Sequence, residues 1–514
     1  MDAPSLSYRR LVANVLAGAG GRLAAILTAL GLATVLVATL GVAPYGTWSF
    51  FFAFIGYHAL FDFGLSVAVE RAVARAAGGG EPHRVGPLLN TGVAMTIALS
   101  AVLQLAVLAV PARWLSALGE PASVARCMLV LPLCLACSNA AAVAGAGLAG
   151  LQRTTTLALQ RSAIGAASAM VVAGLALAGV RRLDVLLLAA AAGLLVTAVV
   201  SWRTVAAATG PLPLRPWRTD RRAVGEIAWF GGTLQLTTLV AQLGDHGLRL
   251  LLGWHFGAAT MGVYDLASRA AIGPRSLMAP LLVALVPFTA ARERVGGVAA
   301  LNESLRRATT YATLAIVAGT AAGLAVADPL MGLWIGGPPD TVRLARELFQ
   351  ILLLSLAVQS IASPMVSLAR GVGRPGPEAT TTLVTQTVAV TFAWRMATPA
   401  AAIGVAAIVL AVSSVGLWIW LKIALGVTAP PRPQIGRLAI VAAGVAAIAY
   451  YAAAATGWLA LPPAATLLAV PSIVVAASIG LALATGSVPA DERRAIARLA
   501  RRNVTAAPAG EPST

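Results

Sequence analysis

Leu40-Gly41-Val42-Ala43-Pro44-Tyr45-Gly46-Thr47-Trp48 closes one long apolar stretch and opens the next. It returns in the second half of the chain as Leu252-Gly253 followed by Met261-Gly262-Val263-Tyr264. A second echo joins Ala149-Gly150-Leu151-Gln152-Arg153 to Arg370-Gly371-Val372-Gly373-Arg374. The offsets are about 216 and 221 residues. Both members of each echo fall on the same side of the membrane in the reading below. The pattern therefore predicts two six-helix units repeated in parallel about an axis along the membrane normal.

The stretches between these marks explain why a membrane is needed. Of 514 residues, 59% are hydrophobic and only 11% charged, where a soluble domain carries roughly a quarter charged residues. Such a chain cannot cover even one soluble domain with polar side chains. About fourteen apolar segments reach spanning length, near twenty residues per 30 Å of hydrocarbon. They run near 11–40, 46–74, 87–111, 124–149, 155–179, 184–205, 227–254, 258–290, 308–334, 344–369, 379–397, 400–422, 436–455 and 459–486. In lipid, apolar runs of this length satisfy their backbone only as helices. The expected fold is an all-α polytopic membrane protein with two six-helix lobes and two further C-terminal helices. The predicted organisation is an N-terminal lobe (1–207), a basic cytoplasmic linker (208–226), a C-terminal lobe (227–425), two extra spans (426–487) and a tail (488–514).

The formal charge of +18 has a specific origin: of 37 basic residues all but Lys422 are arginine. With the N-terminus inside, about 25 lie in cytoplasmic loops or the tail and about 7 outside. Most of the charge is thus a topology signal, with both termini cytoplasmic. Nucleic acid is not an expected partner, because the aromatic interleaving of a base-stacking surface is missing. Cys127, Cys134 and Cys137 lie in one apolar stretch without a His or acidic cluster and read as small core hydrophobes. There is no phosphate loop, no G-x-S-x-G and no H-E-x-x-H motif. No outside loop is long enough to build a catalytic site. The expectation is a transporter, not an enzyme, without cofactor or metal.

The informative residues are charges inside spans, each costly there unless paired or wetted. They are Arg22, Asp62, Arg161, Asp245, Arg249, Asp265, Arg269 and Arg275. Asp245/Arg249 and Asp265/Arg269 have i,i+4 spacing, which sets each acid beside its arginine on one helix. Two readings stand: self-neutralised pairs that lock packing, or arginines that line a wet cavity and hold an anion. At 1.5 Å per residue, Arg22 and Arg269 both lie roughly 17 Å along their spans, near mid-membrane. Arginine grips phosphate bidentately and keeps its charge. Arg22, Arg249, Arg269 and Arg275 are therefore the candidate phosphate or diphosphate ligands. Asp62, Asp245 and Asp265 are candidates for ion coupling or structural pairing. Gly18, Gly20 and Gly21 precede Arg22 and serve either close packing or a hinge.

Three runs carry a family likeness. The first is Leu40 to Trp48, then Asp62-Phe63-Gly64-Leu65-Ser66 and Glu70-Arg71-Ala72-Val73-Ala74. The second is Asp245 to Gly253 with Gly262 to Arg269, and the third is Ala369 to Arg374. Over about 10–425 the chain resembles bacterial polysaccharide (O-antigen and exopolysaccharide) flippases of the multidrug/oligosaccharidyl-lipid/polysaccharide exporter superfamily. The resemblance implies two lobes around a central cavity, alternating access, and transfer of undecaprenyl-diphosphate-linked glycan across the bacterial inner membrane. It also implies a polysaccharide polymerase or export machinery as partner. A lipid II flippase and a multidrug/cation antiporter are the alternatives. An exporter of organic cations would want an acid-lined cavity, which the excess of deep arginine opposes.

Overall fold

The computed structural model describes residues 27–56, 65–78, 81–108, 119–151, 153–210, 213, 215, 224–225, 247–371, 376–428 and 432–488. Among these residues all regular structure is helical. Arg22, Asp62 and Asp245, the glycines before Arg22, and the predicted tail beyond Val488 lie outside the described residues.

The helices in chain order are α1 (Leu27–Leu40), α2 (Val42–Gly56), α3 (Leu65–Gly78), α4 (Val85–Leu108), α5 (Pro121–Gly150), α6 (Thr154–Leu177) and α7 (Leu183–Thr209). The second half holds α8 (247–256), α9 (Ala258–Ala325), α10 (Ala327–Ile335), α11 (Pro339–Gly371), α12 (Gly376–Trp394), α13 (Pro399–Leu425), α14 (Arg432–Trp458) and α15 (Pro463–Ala484). Among the described residues, nine helices are long and apolar enough to cross a membrane. The ends of α4 to α7, α11 and α13 to α15 fall within a few residues of the apolar runs, and the chain does break at Thr398-Pro399 between α12 and α13.

One expectation is corrected. The arginine-rich stretch from Arg292 to Arg307 was predicted as an inside loop between two spans, yet α9 stays helical through it. Arginine is a good helix former. Glu303 also satisfies two of these arginines locally, with Oε atoms 2.7 Å from Arg306 Nη2 and 2.6 Å from Arg307 Nε.

In the first half, α5 is the central helix, packed against α2, α3, α4, α6 and α7. Its three free cysteines are buried, as expected of small core side chains. Leu65, Val69, Val73, Leu89, Val143 and Val205 form one buried cluster from α3, α4, α5 and α7. The chain divides into two compact units. One comprises Met1–Pro280, Trp334–Leu352 and Gly376–Ser413, and the other Leu281–Leu333, Leu353–Pro375 and Ser414–Thr514. The first boundary falls within α9, between Pro280 and Leu281.

The internal repeat shows in matching local devices. In the first unit, Asn90 accepts the Arg215 N–H at 2.8 Å and donates to the Pro213 carbonyl at 3.0 Å. In the second unit, Asn302 accepts the Thr428 N–H at 2.8 Å. Asn90 thus holds the segment that leaves α7, and Asn302 the segment that leaves α13. Both exits use glycine at positive φ, a backbone region that favours it: Gly210 follows α7 at φ 97° and Gly426 follows α13 at φ 63°.

Candidate functional site

The quoted echo becomes a contact in three dimensions. An added Cβ on Gly46 of α2 would run into the Ala258 carbonyl oxygen of α9. One on Gly262 of α9 would meet the Val42 carbonyl oxygen of α2 at 2.7 Å. Gly46 pairs with Gly262, and Val42 with Ala258, at one sequence offset. The contact is reciprocal, as a local two-fold relation between repeated helices requires. Only glycine permits this approach, and it brings the following turn of α9 beside α2.

That turn carries Asp265, which is fully buried. Tyr45 of α2, also fully buried, donates its hydroxyl to Asp265 Oδ2 at 2.6 Å. Arg269, one turn on, donates Nε to the same oxygen at 2.7 Å. Arg249 of α8 places Nη2 2.7 Å from Asp265 Oδ1. A single carboxylate therefore joins α2, α8 and α9. The expected Asp265/Arg269 pair is present. Arg249 reaches across helices to Asp265, a partner that the i,i+4 spacing of Asp245 and Arg249 does not anticipate. Arg275 is half-buried further along α9, roughly 120° around the helix from Arg269.

Two adjoining chambers open beside this hub. The smaller, about 190 Å³, is lined by α1, α2 and α6 together with Tyr45, Trp48, Arg161 and Arg269. Trp48 and Phe52 stack with ring centroids 4.6 Å apart and form an aromatic wall. The larger, about 350 Å³, lies among α1, α2, α5, α6 and α7 and is lined in part by Ser138, Ser168 and Thr197. Leu32, Phe52, Arg161, Gly165 and Ala169 belong to both walls. The small chamber thus presents two guanidiniums, and among its described lining residues there is no carboxylate. Ion pairs formed against such an apolar wall are stronger than in water.

Of the sequence-predicted site residues, the structure brings together Arg249, Asp265 and Arg269. Only Arg269 of the three lines the small chamber, and Arg275 lines neither chamber. Sequence reading missed two participants as site residues. Tyr45 stood in the quoted motif without a role. Arg161 is an in-span charge without an assigned ligand in the sequence, although a lone basic residue in a span with no acid a turn away is a signal of function.

The sequence profile of the family described as polysaccharide biosynthesis protein matches residues 11–291, more than half of the chain. No curated protein matches by sequence. Several solved structures share the fold. An inward-facing multidrug resistance MATE family transporter of the MOP superfamily superposes with a TM-score of 0.65 at 17% identity, covering 78% of this chain and 94% of that one. Lipid II flippase MurJ in an inward closed conformation gives 0.69 at 11% identity, covering 91% and 98%. A MOP superfamily transporter from Pyrococcus furiosus, described as having reverse polarity of its binding pocket, gives 0.56 at 16% identity, covering 81% and 95%. The apolar helices, the reciprocal repeat and these likenesses converge: the chain is a multi-pass membrane protein with the fold of MOP-superfamily transporters, and it belongs to the polysaccharide biosynthesis protein family.

Proposed function

We propose that this protein is a flippase that moves polyprenyl-diphosphate-linked oligosaccharide across the cytoplasmic membrane by alternating access, with both termini cytoplasmic. The observation that carries this reading is the small chamber at the crossing of the repeats. There, guanidiniums face a cavity whose described lining holds no carboxylate. A cationic chamber at mid-membrane depth suits an anionic head group and repels cationic drugs. Arg22, Arg249, Arg269 and Arg275 are assigned to the diphosphate, Arg269 from the wall of the small chamber and the other three along the path by which the head group enters and leaves it. Asp265 is assigned a structural role, because a proton on it would sacrifice its contacts with two arginines. Any ion coupling then falls to Asp62 or Asp245.

A lipid II flippase shares the diphosphate chemistry and is the second reading. Membership of the polysaccharide family favours glycan repeat units over the peptidoglycan precursor.

Surface-glycan export in the native host tests the proposal. Arg22→Gln and Arg249→Gln are each expected to lower export by roughly tenfold or more, one charge-assisted phosphate contact being worth about 1.5–3 kcal/mol. Protein level should hold in Arg249→Gln, because Asp265 keeps Arg269. Unchanged export in both variants contradicts the assignment. Rescue of a lipid II flippase deficiency without any effect on surface glycan shifts the reading to the second alternative.

A further inference from the structure

Arg161 is the charge within the spans that the proposed diphosphate site leaves unused. It stands on α6, seven residues in from Thr154, and lines both chambers. Its guanidinium rests over Gly145 of α5: an added Cβ there would meet Arg161 Nη2 at 2.6 Å and Cζ at 3.4 Å. The missing side chain on α5 is the notch that seats the charge. Glu70 on α3 acts on Arg161 electrostatically, but it is exposed and, among the described residues, no ion pair joins the two. Arg161 therefore presents its donors to the chambers.

Depth brings Arg161 beside Arg269. In the proposed topology Arg161 lies roughly 10 Å from the inner end of its helix, and Arg269 roughly 17 Å from the outer end of its own. Across about 30 Å of hydrocarbon the two are about 3 Å apart in depth. The chamber between them, about 190 Å³, has room for about six water-sized groups. That is the scale of a phosphate or diphosphate.

We propose that Arg161, seated by Gly145, is a second anion-binding residue opposite Arg269, and that the two arginines divide a diphosphate between them, one phosphate each. The inference rests on the diphosphate reading above and adds to it the residue that separates a diphosphate from a monophosphate. Arg269, fixed by Asp265, holds one phosphate. Arg161, whose planar fork accepts two oxygens at once, holds the other.

Binding to the purified full-length protein in nanodiscs tests this, with undecaprenyl diphosphate, undecaprenyl monophosphate and inorganic diphosphate as probes. Wild type should prefer the lipid diphosphate to the monophosphate by roughly tenfold or more, the worth of one charge-assisted contact. Arg161→Gln should erase that preference while leaving monophosphate binding unchanged, whereas Arg269→Gln should weaken both lipids. Gly145→Ala keeps the charge but displaces it and should reduce the preference. Arg161→Lys keeps the charge without the fork and should do the same, which preserves the test if Arg161→Gln fails to fold. Equal binding of inorganic diphosphate would identify a free anion as the ligand and overturn the lipid assignment. A wild-type preference that survives in Arg161→Gln, Arg161→Lys and Gly145→Ala overturns the role of Arg161 and leaves the flippase reading intact. Failure of wild type to bind either lipid overturns both.

Discussion

Asp265→Asn is expected to remove most of the folded protein from the membrane. The carboxylate is fully buried and joins Tyr45 of α2, Arg249 of α8 and Arg269 of α9. Removing the one acid costs about 3–5 kcal/mol, because both arginines stay desolvated without a counter-charge, whereas removing either arginine leaves a neutral pair. Native proteins have only about 5–15 kcal/mol in hand. Size-exclusion yield after detergent extraction and the thermal midpoint of the purified protein measure the loss. The second variant separates charge from packing. Asp265→Asn combined with Arg249→Gln removes one of the two guanidiniums and should recover part of the midpoint. If the double variant melts below the single, electrostatics does not explain the hub.

Gly46→Val is expected to be nearly as damaging, for a different reason. Its Cβ would enter the space of the Ala258 carbonyl oxygen, which is backbone and cannot rotate away. Overpacking against a movable side chain costs about 1–3 kcal/mol, and a rigid backbone contact belongs at or above the top of that range. Gly262→Val should match it, since its Cβ would meet the Val42 carbonyl oxygen in the reciprocal contact. Gly174→Ala on α6 is the control: nothing lies within 4 Å of its added carbon. Replacing a helix-interior glycine there should be neutral or stabilising by up to about 1 kcal/mol. Thermal midpoints of the three variants decide it. A Gly46→Val protein as stable as wild type would mean that α2 and α9 do not cross at these residues.

These two results draw on features that the sequence revealed to different degrees. The spans were legible because hydrocarbon leaves so few alternatives: an apolar run of spanning length is a helix, and α4 to α7 and α11 to α15 follow those runs closely. The repeat was legible at Gly46 and Gly262 because a close helix crossing tolerates only glycine, so the residue type records the contact. The continuity of α9 was not, because arginines that mark a cytoplasmic segment look the same in a helix as in a loop. Glu303, which helps hold that helix, acts through local pairs of modest weight.

The hub was half legible. The i,i+4 rule sees only neighbours on one helix, so it found Arg269 beside Asp265 and could not find Arg249 or Tyr45, which arrive from α8 and α2. Arg161 is a similar case. Its seat is a missing side chain on another helix, Gly145, and no spacing within α6 encodes that. Cross-helix partners depend on which faces meet, and meeting faces are a property of the packed bundle.

The central claim is that an arginine-lined chamber carries a lipid-linked diphosphate across the membrane. Its most direct test is transport by the purified protein in proteoliposomes loaded with undecaprenyl-diphosphate-linked glycan, followed as the exposure of inner-leaflet glycan to an added glycosidase. Wild type should accelerate that exposure well above protein-free vesicles. Arg269→Gln, reconstituted in equal amount and equally folded because Asp265 keeps Arg249, should fall to the protein-free rate. Glycan exposure by Arg269→Gln at the wild-type rate would contradict the account.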